Sequence, residues 1–239
     1  MERLSNLRTQ LGGAAPSAAA AGAAATAAAT ATATAGTEIL WDTFGIPHIF
    51  APDHTSLFFA YGFAQMEGHS ELLIQQYAIS RGCGAEFYGT KYLESDRWVR
   101  LNGISQAAQQ WVAGQSANFG PLIESFAAGL NTWATEHAAE LSPAASRVLP
   151  LSSTDVYAHC LRVIHYDWII SPQRLKTRLD AVEKEHVHGS NMWAVAPSRS
   201  ATGNAMLLSN SHLQWGRHHT YMEVQLTAPG VTSSGAVWM

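Results

Sequence analysis

The sequence predicts an α+β protein, with a mainly helical body followed by a shorter strand-rich region. Three observations carry this. Between Asp53 and Ile170 apolar residues recur at helical spacing. From Ser171 to His188 the chain turns polar and charged, through Gln173, Arg174, Lys176, Arg178, Asp180, Glu183, Lys184 and Glu185. After Ser190 the texture switches to strand, over Met192–Ala196, Asn204–Leu208 and Tyr221–Thr227, the last with apolar and polar residues alternating. At 239 residues there is enough chain for one large domain or two small ones.

Taken in order, residues 1–36 form an alanine-rich leader. Residues 14–35 are almost all alanine, broken by Thr26, Thr30, Thr32 and Thr34 and preceded by Arg3 and Arg8. Ala31-Thr32-Ala33 and Ala33-Thr34-Ala35 fit a small-x-small cleavage pattern, so an export signal and a periplasmic or secreted destination are expected. The competing reading is a disordered low-complexity leader or a start codon placed too far upstream. Either way, folding is expected to begin near Thr37. Glu38–Asp42 and Ile46–Phe50 then read as a hairpin or bent strand.

Asp53 opens a helix to about Ser80, with Leu57, Tyr61 and Ala64 on one face and Leu72, Leu73 and Gln76 continuing it imperfectly. Gly62 and Gly68 each weaken that helix by about 1 kcal/mol relative to alanine, a cost that close packing would explain. Arg81–Gly89 is a glycine-rich turn region without the spacing of a phosphate or dinucleotide loop. Further helices are expected over Gly103–Gln115 and after Pro121, where Leu122, Phe126, Leu130 and Trp133 share a face. Ser153 is expected to cap another, with Val156, Cys160, Val163 and Ile164 as its buried stripe.

Composition excludes some functions. Hydrophobic content of 47% with only 13% charged residues points to a packed core. The net charge of −4, without a lysine or arginine run, argues against nucleic-acid binding. Beyond the alanine tract no apolar run is long enough to span a bilayer. Cys83 and Cys160 leave one disulfide open. Eleven histidines include His186, His188, His212, His218 and His219, yet no zinc-type spacing is present and no cofactor is expected.

The chemistry concentrates at Gly189-Ser190. A serine hydroxyl is a weak nucleophile and needs a nearby base. If the chain were cut before Ser190, the same residue would carry a free α-amine with a pKa of about 7.7–8.0, able to take the hydroxyl proton near neutrality. Gly189, lacking Cβ, leaves its carbonyl approachable for attack by Ser190 Oγ. On its own, Gly-Ser-Asn is a common turn sequence.

The surrounding motifs change that balance. Gly189-Ser190-Asn191, Trp193-Ala194-Val195, Ser198-Arg199-Ser200, Gly203, Met206–Leu208 and Asn210–Leu213 follow one another in order. Upstream stand Trp41–His48, Tyr61–Gln65, Arg81-Gly82 with Phe87–Gly89, and Phe126–Asn131. Together these resemble the penicillin amidase family of N-terminal nucleophile hydrolases, over nearly everything after Thr37.

The resemblance implies a four-layer αββα sandwich, present here as an incomplete fragment. It implies a precursor divided into an α-chain at 37–170, a spacer at 171–189 and a β-chain from Ser190 through 239. Ser190 would be the nucleophile and its α-amine the base, acting on a linear amide such as an acyl-homoserine lactone or a penicillin side chain. His212 would help orient the hydroxyl, although Ser211 stands where relatives usually carry proline. Tyr166 and Trp168 are candidates for the acyl pocket. Some relatives bind calcium between subunits, without matching carboxylates identifiable here. The resemblance also places the oxyanion-hole donors beyond Met239. The alternative from another class is a non-catalytic remnant serving as a binding module.

Overall fold

The computed structural model describes residues 8–10, 35–165, 190–212 and 219–239. Its longest element is helix α1 (His54–Ser80), started by Asp53, whose side chain accepts from the Ser56 N–H at 2.7 Å. The helix kinks at His69, which has non-helical angles (φ −153°, ψ 40°). That kink is the reason the apolar stripe fails to continue in phase. Before it Leu57, Phe59, Phe63 and Met66 are buried; after it Leu73, Ile74 and Tyr77 take over.

Helix α5 (Gly120–Glu136) packs along α1, burying Phe126, Leu130 and Trp133. The contact is backbone-close. A Cβ built on Gly62 would lie 2.2 Å from the Phe126 carbonyl oxygen. Gly68 instead meets only the Trp41 ring at 3.8 Å, so the expectation of close packing holds at one of the two glycines.

The turn region after α1 contains helix α2 (Gly84–Tyr88), and helix α3 (Leu93–Leu101) follows it. Buried Asp96 reaches back from α3 and accepts from the Gly84 and Ala85 N–H groups at 2.8 and 2.7 Å. Helices α4 (Ile104–Ala113), α6 (Pro143–Val148) and α7 (Ser153–Ile164) complete the helical set among the described residues.

Two readings of α7 are corrected. Its N-cap is Ser152, not Ser153: a reciprocal capping box joins Ser152 and Asp155. Its buried face carries Asp155, Tyr157, Ala158, His159, Leu161, Arg162 and Val163, whereas Cys160 is exposed. A polar face is buried because it meets polar partners, which apolar periodicity cannot reveal. Cys83 and Cys160 are both free, so the open disulfide is not formed.

Strands β2 (Glu38–Trp41) and β3 (Pro47–Phe50) form the expected antiparallel hairpin. β3 then pairs in parallel with β6 (Tyr221–Ala228), which is antiparallel to β7 (Val231–Trp238). Residues Arg8–Gln10 add strand β1 to β2, with Arg8 opposite Leu40. The five-stranded order is β1-β2-β3-β6-β7. Ile39, Ile49, Met222 and Val224 leave this sheet for the same core as α1 and α5. The α+β class therefore stands, with strands from both ends of the sequence built into one sheet.

Candidate active site

Strand β4 (Ser190–Val195) begins at the candidate nucleophile itself. It pairs antiparallel with β5 (Met206–Ser211) as a separate two-stranded sheet. The connection uses a 3₁₀ turn at Pro197–Arg199 and Gly203 at φ +70°, a left-handed conformation that glycine adopts without strain.

The register sets Ser190 opposite Ser211 and Asn191 opposite Asn210. Successive strand residues point to opposite faces, so the Ser190–Ser211 pair and the Asn191–Asn210 pair occupy different sides. His212 follows immediately, and its Nε2 lies 3.2 Å from Asn191 Nδ2. The hairpin thus brings Ser190 and His212 to one end, although Asn191 and His212 are 21 residues apart in sequence. Asn191 is the member that sequence reading missed as a site residue. The signal available was the strand pattern itself, once its register is known.

Gly189, Tyr166 and Trp168 lie outside the described residues. Met192, Trp193, Met206, Leu207 and Leu208 are 54–68% exposed, on both faces of the hairpin. Two apolar faces mark a strand pair suited to the interior of a larger sheet rather than its surface.

The upstream motifs build the frame. In Trp41–His48, Asp42 closes the β2–β3 turn by accepting from the Phe44 and Ile46 N–H groups at 2.8 and 3.0 Å. Those bonds, led by the one from Ile46, hold its carboxyl below the usual carboxylate range, with a smaller contribution from His48. His48 bridges Asp42 at 3.3 Å and Gln225 of β6 at 2.6 Å.

Arg81 makes a forked pair with Asp155 (2.6 and 2.8 Å) and donates to the Val148 and Pro150 carbonyls at 2.6 and 2.8 Å. Asn131 clasps Leu151 through both its amide groups, donating at 2.7 Å and accepting at 2.8 Å. These residues fix the segment leading into α7.

A second polar knot lies where α1, α7 and the end of β7 meet. Arg162 donates to Ser80 Oγ at 2.8 Å and to Gln76 Oε1 at 2.6 Å, and His159 Nε2 donates to the Met239 carbonyl at 2.8 Å. Among the described residues no three His, Cys, Asp or Glu side chains converge to hold a metal ion. No described helix is long and apolar enough to cross a membrane.

The penicillin amidase family model matches residues 36–239. An acyl-homoserine lactone acylase PvdQ of Pseudomonas syringae pv. tomato is 26% identical over 231 residues, covering 82% of this chain and 30% of that protein. Penicillin acylase 2 proenzyme of a Pseudomonas species is 25% identical over 259 residues, covering 80% of this chain and 33% of its own length. A thermostable penicillin G acylase from Alcaligenes faecalis aligns structurally with a TM-score of 0.49 at 19% identity, over 64% of this chain and 94% of the other. The chain spans about a third of the length of the curated relatives it matches. By the extent of the family match, which runs through the helical body, the Gly189-Ser190 junction and the final strands, the chain belongs to the penicillin amidase family.

Proposed function

We propose that the chain is the precursor portion of an N-terminal nucleophile acylase, cut between Gly189 and Ser190, with Ser190 as nucleophile. The observation that carries this reading is the position of Ser190 as the first residue of β4, opposite Ser211 at the end of the hairpin where His212 follows, within the matched family region. A nucleophile at the head of a strand is held by a hydrogen-bonded ladder rather than by a loop.

In the cut, Ser190 Oγ attacks the Gly189 carbonyl carbon. The C–N bond breaks, the departing Ser190 amine takes the proton, and an ester remains. Water hydrolyses the ester, giving a Gly189 carboxylate and a free Ser190 amine and hydroxyl. In turnover, the amine accepts the Oγ proton as Oγ attacks an amide carbonyl, then returns it to the leaving amine. Water releases the acid from the acyl-enzyme. The substrate class is a linear amide, either an acyl-homoserine lactone or a penicillin side chain, in keeping with the names of the relatives.

The two pieces would stay together as a heterodimer, since β3 and β6 lie on either side of the cut and pair directly. Tyr166 and Trp168 remain the proposed acyl-pocket residues, and export remains the proposed destination. No step is routed through calcium, for which no carboxylate cluster is present among the described residues.

Mass spectrometry of the expressed chain tests the reading: a new N-terminus at Ser190 is expected, and Ser190→Ala should abolish it. Cutting that persists in Ser190→Ala would defeat Ser190 as its agent. A chain that stays whole even within a full-length protein would favour the non-catalytic binding module. Hydrolysis of acyl-homoserine lactones against phenylacetyl amides then separates the two substrate groups.

A further inference from the structure

We infer that Asp42, His48 and Gln225 form a clasp that sets the register in which the β2–β3 hairpin recognises strand β6; the inference holds whether or not the chain is cut. Parallel strands cannot be joined by a tight turn, so no turn geometry aligns β3 with β6. The apolar pattern leaves the choice open as well. On β6, Met222, Val224, Leu226 and Ala228 all pack on the core, at every second residue. On β3, Pro47 and Ile49 are the buried positions. A slip of two residues would keep each of these side chains on its own face.

The outward row distinguishes the alternatives. His48 stands opposite Gln225, and its Nδ1 lies 2.6 Å from Gln225 Oε1. Its Nε2 lies 3.3 Å from Asp42 Oδ2, and Asp42 is itself fixed by the Phe44 and Ile46 N–H groups. The contacts therefore run from the turn backbone to one residue of β6. An amide presents either an oxygen or an NH₂ group, so Gln225 suits the ring whichever nitrogen carries the proton. The residues two places away on β6 do not. Thr227 carries its hydroxyl on Cβ, two bonds short of the Gln225 amide oxygen. Glu223 would set a second carboxylate against that of Asp42. Another polar contact across this seam, from His54 to the Pro229 carbonyl at 3.0 Å, ends on backbone, a group that every residue offers. In a chain cut at Gly189-Ser190, the clasp would be where the first piece recognises the second.

Distances between spin labels test this in the whole chain. The free cysteines are removed by Cys83→Ser and Cys160→Ser. Labels are placed through Phe44→Cys and Thr232→Cys, at exposed positions in the β2–β3 turn and on β7. Because β7 is paired with β6, a two-residue slip carries both strands about 6.6 Å along β3 and changes the label separation. The otherwise wild-type chain should give one distance. Gln225→Met, which keeps the length and loses the polar end, should add a second, displaced population. Exchanging the two side chains, Gln225→Thr with Thr227→Gln, should move the main population to a displaced distance. Both changes lie on the outward face of β6, and either variant decides if the other fails to fold. The original distance alone, in Gln225→Met or in the exchanged chain, overturns the inference.

Discussion

Gly62 and Gly129 form a reciprocal contact between α1 and α5. A Cβ on Gly62 would lie 2.2 Å from the Phe126 carbonyl oxygen, and a Cβ on Gly129 would lie 2.0 Å from that of Phe59. Each helix therefore presents its glycine to the backbone of the other, and the two axes approach more closely than any side chain would allow.

Alanine at either position should destabilise the protein, although alanine is the better helix former by about 1 kcal/mol. The obstructing atoms are backbone, so the helices must move apart, at a cost of about 1–3 kcal/mol. Gly68→Ala serves as the control. Its new methyl would meet only an ordinary contact with Trp41, so stability should hold or rise slightly. Urea unfolding of the three variants checks the order.

Asp155→Ala should cost about 3–5 kcal/mol, because it leaves the Arg81 guanidinium partly buried without its carboxylate and removes half of the α7 capping box. Arg81→Lys should recover only part of the wild-type value, since an ammonium cannot make the fork. Thermal melts of both variants test this.

Asp42 gives a pH dependence with a definite sign. Its carboxyl is held below the usual range in the folded chain, so it contributes stability above the unfolded pKa of about 3.9 and loses it as pH falls through the lower folded value. Asp42→Asn should therefore be less stable than wild type at neutral pH, with the gap shrinking on acidification. Unfolding measured at neutral pH and near pH 3 checks the sign.

Once cut at Gly189-Ser190, the two pieces should co-elute in native size exclusion. Met222, Val224 and Ala228 share one core with α1, and His159 is bonded to the Met239 carbonyl. Val224→Asp should release them by placing a charge in that core. Separation of the wild-type pieces under native conditions would contradict the shared core.

The helical body was largely legible because α1 and α5 bury apolar faces whose spacing is written in the residue types. The start of α1 at Asp53 was legible locally too, whereas its role as the cap emerges only from the structure. The phase of α7 was not, since its inner face is chosen by Ser80, Arg81 and Gln76 on α1 and just after it, far away in sequence. Ser190 and His212 stand out in the sequence only through the motifs around them. The contact between Asn191 and His212 depends on strand register, which no local pattern specifies. The β3–β6 pairing and strand β1 are likewise long-range choices that local patterns do not specify.

The parallel pairing of β3 with β6 has a consequence for the order of events in the life of the chain. Parallel neighbours cannot be joined by a tight turn, and here the whole helical body together with the β4–β5 hairpin serves as the connecting arch. While the arch is intact, the two strands find each other within a single molecule. Severing it turns the same pairing into an encounter between separate chains, so lost structure becomes harder to regain with dilution. If the chain is cut as proposed, assembly would come before scission, and the cut form would inherit a shape that its fragments are poorly equipped to rebuild.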